Sequence, residues 1–393
     1  MAVKPDLAGK PYSILQECLL HYRSWREDND KRRTRKNGWD DITDAYWGKL
    51  PKDWPYTTKV VDPRIRTSLT EKNARLLNAK LRGRLVPREG GDVLKSRINN
   101  ALLDFQWDNA TDGGSMLSKW AGMDMDTRLY ASKFALVIWK HEEDNDGKVL
   151  FDGNEFYPKD IRDSGIDPTA NHIRNAKWFQ IREWTKIVDL ENTNDTPDGK
   201  KYPGLVKLKL AIEEGHYNQD RKDSEYTDKL RSNKNLQDRT GEDKSFPVVE
   251  LVTEYRKDRW ITFSPRHNVV LRDIPNPYDH GQIPVVQLRY YPLGDDPLGE
   301  SEVEPVVPLW KAINATLCGY LDNMNIHMRP PLKIINGAAN IETIVWGAEA
   351  QWMMDRPDAV TEMQSNGEAM RYFQTTYSAL VSAFNTAMGD TSQ

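Results

Sequence analysis

The seven histidines are the side chains best suited to proton transfer near neutrality or to binding a metal through imidazole nitrogen. They are His21, His141, His172, His216, His267, His280 and His327, and no two fall at ligand spacing. The spacing therefore predicts core or surface histidines without a metal. Asp124 and Asp126 form a DxD pair, but on a helix residues i and i+2 do not face each other, which argues against a shared cation. Asn145-Asp146-Gly147 suggests a calcium loop. With Gly147 at loop position six, position twelve is Gly153, and the bidentate Glu that calcium needs is missing. An Asn/Asp-Gly step between two β-type runs reads instead as a hairpin turn. Arg266-His267-Asn268, between two strand-like runs, reads as a turn. No GxxxxGK[ST], GxGxxG after a strand, HExxH or GxSxG occurs. Cys18 and Cys318 make no CxxC, which excludes a zinc ribbon or disulfide framework and predicts two buried free thiols. The sequence assigns no catalytic, cofactor-binding or metal-binding residue. The expectation is a protein that is not an enzyme and carries no cofactor.

Charge narrows the choice of partner. Lys and Arg number 55 against 59 Asp and Glu, a net charge of -4 over 393 residues. A domain that grips nucleic acid mainly by excess positive charge is thereby excluded. The one dense basic run holds Lys31, Arg32, Arg33, Arg35 and Lys36. It reads either as a nucleic-acid patch or as a solvated helix end, the latter because Glu27, Asp28 and Asp30 sit beside it. The chain is polar, with 38% hydrophobic and 29% charged residues, yet it has 13 Trp. Such aromatic content does not fit a disordered chain. It suggests modest cores and surfaces that bury against other subunits. The longest apolar run, Phe134 to Trp139, is far short of the roughly twenty residues of a membrane span.

The elements that carry these residues follow from periodicity. Ile14, Leu15, Cys18, Leu19, Tyr22 and Trp25 predict a first helix. Gly38 to Pro55 reads as a loop pinned by Trp47 and Trp54. Leu69, Leu76, Leu77, Leu81 and Leu85 predict a second helix, Ile98, Leu102 and Phe105 a third, and Met116 to about Lys133 a fourth, started by Ser115. Strands are expected at 134–140, 148–151 and 177–184, followed by a helical turn to Leu190. Residues 192–245 are very polar, with 213–244 an exposed helix or excursion. Strands resume at 248–255, 260–263, 269–272 and 285–290, separated by turn residues. Ser301-Glu302-Val303-Glu304 has a capping-box pattern ahead of a stripe from Val306 to Met328, which Arg329-Pro330-Pro331 ends. Leu332 to Asn336 and Ala350 to Met354 read as two short strands, and Glu368 to Met388 as a closing helix.

Asn276-Pro277-Tyr278, Ile283-Pro284-Val285, Gly299-Glu300-Ser301-Glu302-Val303-Glu304, Ile313-Asn314 and Leu321-Asp322-Asn323 occur in this order. In that order they resemble the portal (head–tail connector) proteins of tailed bacteriophages. The Ala176-Lys177-Trp178-Phe179 strand after Ile166-Asp167-Pro168 also resembles that family, and the likeness spans roughly residues 60 to 390. The resemblance implies an α+β fold with a mixed helical and antiparallel β wing over residues 1–300. It further implies a first stem helix over 301–329, a small β clip over 330–362 and a second stem helix over 363–390. A tunnel loop, tunnel helix and crown would follow, so the residues facing DNA in the tunnel are expected outside this sequence.

The implied assembly is a homo-oligomeric ring, typically of twelve subunits, at one capsid vertex. It is the channel for packaging and ejecting double-stranded DNA. The implied partners are the terminase large subunit, the head–tail adaptor, and the major capsid and scaffolding proteins, with no membrane. The chain would be assembled in the host cytoplasm and reside in the virion. Trp310, Ile313, Leu317, Leu321, Phe373, Tyr377 and Leu380 are the expected stem-packing residues. Lys333, Ile335, Trp346 and Trp352 are the expected clip contacts to neighbours, adaptor or terminase. Each phosphate neutralised by a cation adds affinity through counterion release, so a slightly acidic ring suits DNA that must slide. Two other readings stand beside this one: a phage nucleic-acid-processing enzyme whose carboxylates converge from separate segments, and a DNA-binding module built on Lys31 to Lys36.

Overall fold

The computed structural model describes residues 13–78, 83–108, 115–144, 147–196, 199–213, 248–294, 296–329, 332–335, 356, 359–362 and 371–389. In chain order these form α1 (Ile14–Thr34), α2 (Trp39–Tyr46), α3 (Arg64–Asn78), α4 (Val93–Asp108) and α5 (Met116–Tyr130). There follow β1 (Ser132–Glu143), β2 (Val149–Lys159), β3 (Ser164–Ile166), β4 (Trp178–Lys186), α6 (Ile187–Asn192), β5 (Asp195–Thr196), β6 (Gly199–Lys200) and α7 (Leu205–Glu213). The β-rich stretch continues with β7 (Val248–Arg256), β8 (Arg259–Ser264), β9 (Val269–Pro275), β10 (Val285–Arg289), β11 (Tyr291–Leu293) and β12 (Asp296–Glu300). Last come α8 (Val307–Met328), β13 (Leu332–Ile334), β14 (Val360–Glu362) and α9 (Phe373–Ala387). Helices and antiparallel sheets make this an α+β protein. Two compact units divide it: Met1–Arg35 with Asn73–Ser301, and Lys36–Lys72 with Glu302–Gln393. Residues 36–72, expected within a continuous N-terminal region, thus group with the C-terminal helices.

In the first unit a five-stranded antiparallel sheet runs in the order β3-β4-β7-β8-β9. Strand alternation sends Val249 and Leu251 to one face and Glu250, Val252 and Glu254 to the other. On the first face Val249, Leu251 and Leu271 pack with Ile187 and Leu190 of α6 and with Leu205 and Leu208 of α7. On the second, Cys18, Tyr22 and Trp25 of α1 pack on Trp178, Val252, Ile261 and Phe263. α1 opens with a reciprocal capping box in which Ser13 and Gln16 satisfy each other's backbone N–H groups. A second sheet, β10-β1-β2, has β1 central and antiparallel to both neighbours. The predicted hairpin is present between β1 and β2, with Gly147 at φ 75° in its turn.

In the second unit α8 and α9 pack together, with Tyr320 stacked on Phe373 at 3.9 Å between ring centroids. β13 pairs antiparallel with β14, Leu332 opposite Glu362 and Ile334 opposite Val360. The expected strand at 350–354 lies outside the described residues. Val360 and Thr361, both β-branched, supply the observed partner.

Several expectations need correction. Trp39–Tyr46 is a helix where a loop was expected: Trp39, Ile42 and Ala45 are buried at steps of three, and Asp40 and Asp41 lie in its first turn. Trp47 is 59% exposed, so it does not pin this segment to a core; Arg66 lies over its ring instead. Ser301 does not cap α8. The chain first makes a 3-10 turn at Glu304–Val306, and α8 has no side-chain cap. Pro308 sits in the first turn of α8, where its missing N–H costs nothing.

Candidate functional site

The residues that carry the family resemblance turn out to be tethers. In the second unit Asn314 is fully buried; its Oδ1 accepts from the Asp62 amide at 2.7 Å and its Nδ2 donates to the Trp310 carbonyl. One turn earlier the Trp310 indole N–H donates to the Asp62 carbonyl at 3.0 Å. Two turns later Asp322 accepts from the backbone N–H groups of Thr57 and Thr58, each at 2.9 Å, and from the Thr58 hydroxyl. These bonds, first that of the Thr58 hydroxyl, hold the Asp322 carboxyl below its ordinary range. Tyr377 of α9 donates its hydroxyl to Asp62 at 2.9 Å. Residues 57–62 are therefore stitched along α8 by side chains at 310, 314 and 322. The spacing is that of one helix face.

The other motif residues act likewise within the first unit. Ser301 Oγ shares its one proton between the carbonyls of Arg128 and Leu129 at the C-terminal end of α5. Gly299 has φ 81°, and a Cβ there would meet the Tyr291 carbonyl oxygen at 2.2 Å, so only glycine fits. Asn276 closes the 276–282 turn by donating to the Lys257 and Gln282 carbonyls, and Tyr278 accepts the Trp139 amide.

Trp310 and Ile313 are buried. Leu317, Leu321, Phe373, Tyr377 and Leu380 are only half-buried within a single chain. All buried residues of α8 lie at or before Cys318, and Ile326 and Met328 near its end are exposed. In α9, 15 residues long, only Phe384 is buried. Lys333 is exposed, as is Ile335, whose amide donates to the Ala359 carbonyl. Trp346 and Trp352 lie outside the described residues, as does the 214–247 excursion. In the first unit α4 buries none of its side chains among the described residues. Leu94, Ile98, Leu102 and Phe105 form an exposed stripe along it, between 53% and 68% accessible.

The remaining chemical candidates are placed as follows. Asp124 pairs with Arg128 and Asp126 with Lys133, so each carboxylate of the DxD pair has its own cation. Among the described residues no group of His, Cys, Asp and Glu could hold a metal ion. Cys18 and Cys318 are buried free thiols; burial, then the Glu254 charge, pushes Cys18 far up. In the basic run Lys31 pairs with Glu27, Arg32 with Asp28 and Asp296, and Arg33 with Asp30. Its first three cations are thus matched by acids, as the neighbouring sequence suggested. Among the described residues no helix is long and apolar enough to cross a membrane.

The polar network under α1 has almost no local sequence signal. Glu254 is fully buried and takes bonds from His21, Gln180 and Arg256. Tyr22 donates to Glu250, and Arg182 is paired with Asp163 at 2.7 Å. The only hint was the alternation of Glu250, Val252 and Glu254 within an otherwise apolar strand. No protein-family model matches the chain, and no curated protein sequence matches it.

Proposed function

We propose that this chain is a portal subunit of a tailed bacteriophage. Copies close into a ring at one capsid vertex, through which double-stranded DNA is packaged and ejected and on which the terminase large subunit and the head–tail adaptor dock. The observation that carries this reading is the second unit. A long helix leads into a two-stranded ribbon, a second helix returns against the first, and both helices leave apolar side chains half-buried or exposed. Three-residue strands are too short to stand alone in water, and pairing with a neighbour's ribbon would complete them. The exposed stripe of α4 offers further surface for a neighbouring copy. Net charge supports the same reading, since -4 per subunit does not favour tight phosphate binding. The ion pairs of Lys31, Arg32 and Arg33 weigh against a DNA-binding module built on that run. Electron microscopy of the purified protein tests the proposal: rings with a central channel are expected. A stable monomer of 45.3 kDa overturns it.

A further inference from the structure

Two large cavities of the first unit differ in charge. One, of about 740 Å³ beside α1, mixes Arg23, Arg26, Lys31 and Arg266 with Glu27, Asp30 and Glu250. The other, of about 1060 Å³, is lined by β1, β2, residues 172–175, Lys257 and residues 278–287, and contains no Asp or Glu. In a chain with 59 acidic residues an acid-free cavity of this size is a selective feature.

Its chemistry is that of donors and rings. Arg174 and Lys257 line it, and among the described residues neither makes an ion pair. His172 accepts the Arg174 amide on Nδ1, and His280 accepts the Gln282 amide on Nδ1. With Nδ1 accepting, Nε2 of each imidazole is the nitrogen that bears a proton and can donate. Trp139 is 54% exposed, and its indole is fixed by a bond to Asp152, which also pairs with His141. Tyr278 is fixed by accepting the Trp139 amide and stacks with His280 at 5.2 Å. Asn154, the cross-strand partner of Trp139, adds an amide.

Two cations that make no ion pair among the described residues, with two imidazole donors, suit a phosphate. The held, half-exposed indole of Trp139 beside amides suits a nucleobase, because base–aromatic stacking tolerates any base and amides can bond its edge. The cavity is as large as those that enclose small ligands. A base buried in a duplex stack could not reach rings set in a cavity without flipping out. We infer that this cavity, bounded by Trp139, Arg174, Lys257 and Tyr278, binds a nucleoside phosphate, either free or as one nucleotide of a single strand. The inference does not depend on ring formation.

Calorimetric titration of the full chain with ADP, with a ten-residue oligodeoxythymidylate and with a polyglutamate peptide tests it. Saturable binding of ADP alone identifies a free nucleotide, and of the oligonucleotide alone a single strand. In either case Arg174→Ala with Lys257→Ala weakens binding at least tenfold, and Trp139→Ala weakens it severalfold. All three residues are exposed, so these variants fold. Lys31→Ala, which does not line the cavity, leaves binding unchanged. Absence of saturable binding by both nucleotide probes, polyglutamate binding as tightly as they do, or nucleotide binding that the double variant does not weaken overturns the inference.

Discussion

The five-stranded sheet and the α8–α9 pair solve the problem of burial differently. The sheet is covered on both faces, one by α6 and α7 through aliphatic side chains, the other by α1 over a polar network. The α8–α9 pair is closed at one end only. Trp310, Ile313 and Cys318 are buried near the start of α8, whereas its far end and most of α9 remain accessible. The first arrangement is complete within one chain. The second leaves apolar side chains accessible, which in the proposed assembly other copies of the chain would cover. Polar tethers from Asp62, Asn314 and Asp322 hold the second in shape, where the first relies on packed area as well.

Substitutions can break this contrast. Phe263→Ala under the sheet and Trp310→Ala in α8 remove fully buried rings, and each should cost about 3–5 kcal/mol in chemical denaturation. If Trp310→Ala proves nearly neutral, α8 is not anchored as described. Next in size is Asn314→Ala, which leaves the Asp62 amide without its acceptor. A loss of about 1–3 kcal/mol is expected, with faster proteolysis within residues 57–62. Cleavage at the wild-type rate would show that these tethers do not fix the segment.

The polar network of the sheet should show in acid. Desolvation alone would raise the Glu254 carboxyl, but the bond from His21, the Arg256 charge and the bond from Gln180 outweigh it and hold it below its ordinary value of 4.5. The unfolded chain therefore takes up this proton first as pH falls. The stability Glu254 contributes is fully present above its unfolded value and is lost as pH falls through the lower folded value. Thermal melts from about pH 6 to about pH 3 should show a steeper decline for the wild type than for Glu254→Gln. Equal slopes would remove Glu254 from the account. The smallest effect on folding is expected at the open end. Met328→Ser and Tyr372→Ser, at residues 69% and 68% exposed, should change stability by no more than about 0.5 kcal/mol. The same changes should weaken self-association, which sedimentation would detect. Loss of folding stability without loss of assembly would reverse their assigned role.

Much of the fold was legible because it rests on local pattern. Cys18, Tyr22 and Trp25 marked the buried face of α1, and the run from Val248 to Tyr255 marked β7. Where the pattern was short or the side chain had a distant partner, it misled. Ser301 looked like a helix cap because its neighbours in sequence include Glu304, but its hydroxyl is used by α5 carbonyls far away in sequence. Trp39–Tyr46 is a two-turn helix whose apolar period is too brief to stand out. Among the candidate site residues, Trp310 and Ile313 are buried. The tethering roles of Asn314 and Asp322 depend on residues about 250 positions away and had no local signal. The acid-free cavity likewise gathers Trp139, Arg174, Lys257 and Tyr278 from separate segments that only the fold brings together.

In the proposed assembly the open second unit is completed by other copies of the chain. Native mass measurement of the purified protein at micromolar concentration tests it most directly. A single closed oligomer is expected, and it should fall apart when Met328 and Tyr372 are both changed to Ser. A folded wild-type protein that stays at 45.3 kDa across that range would contradict it.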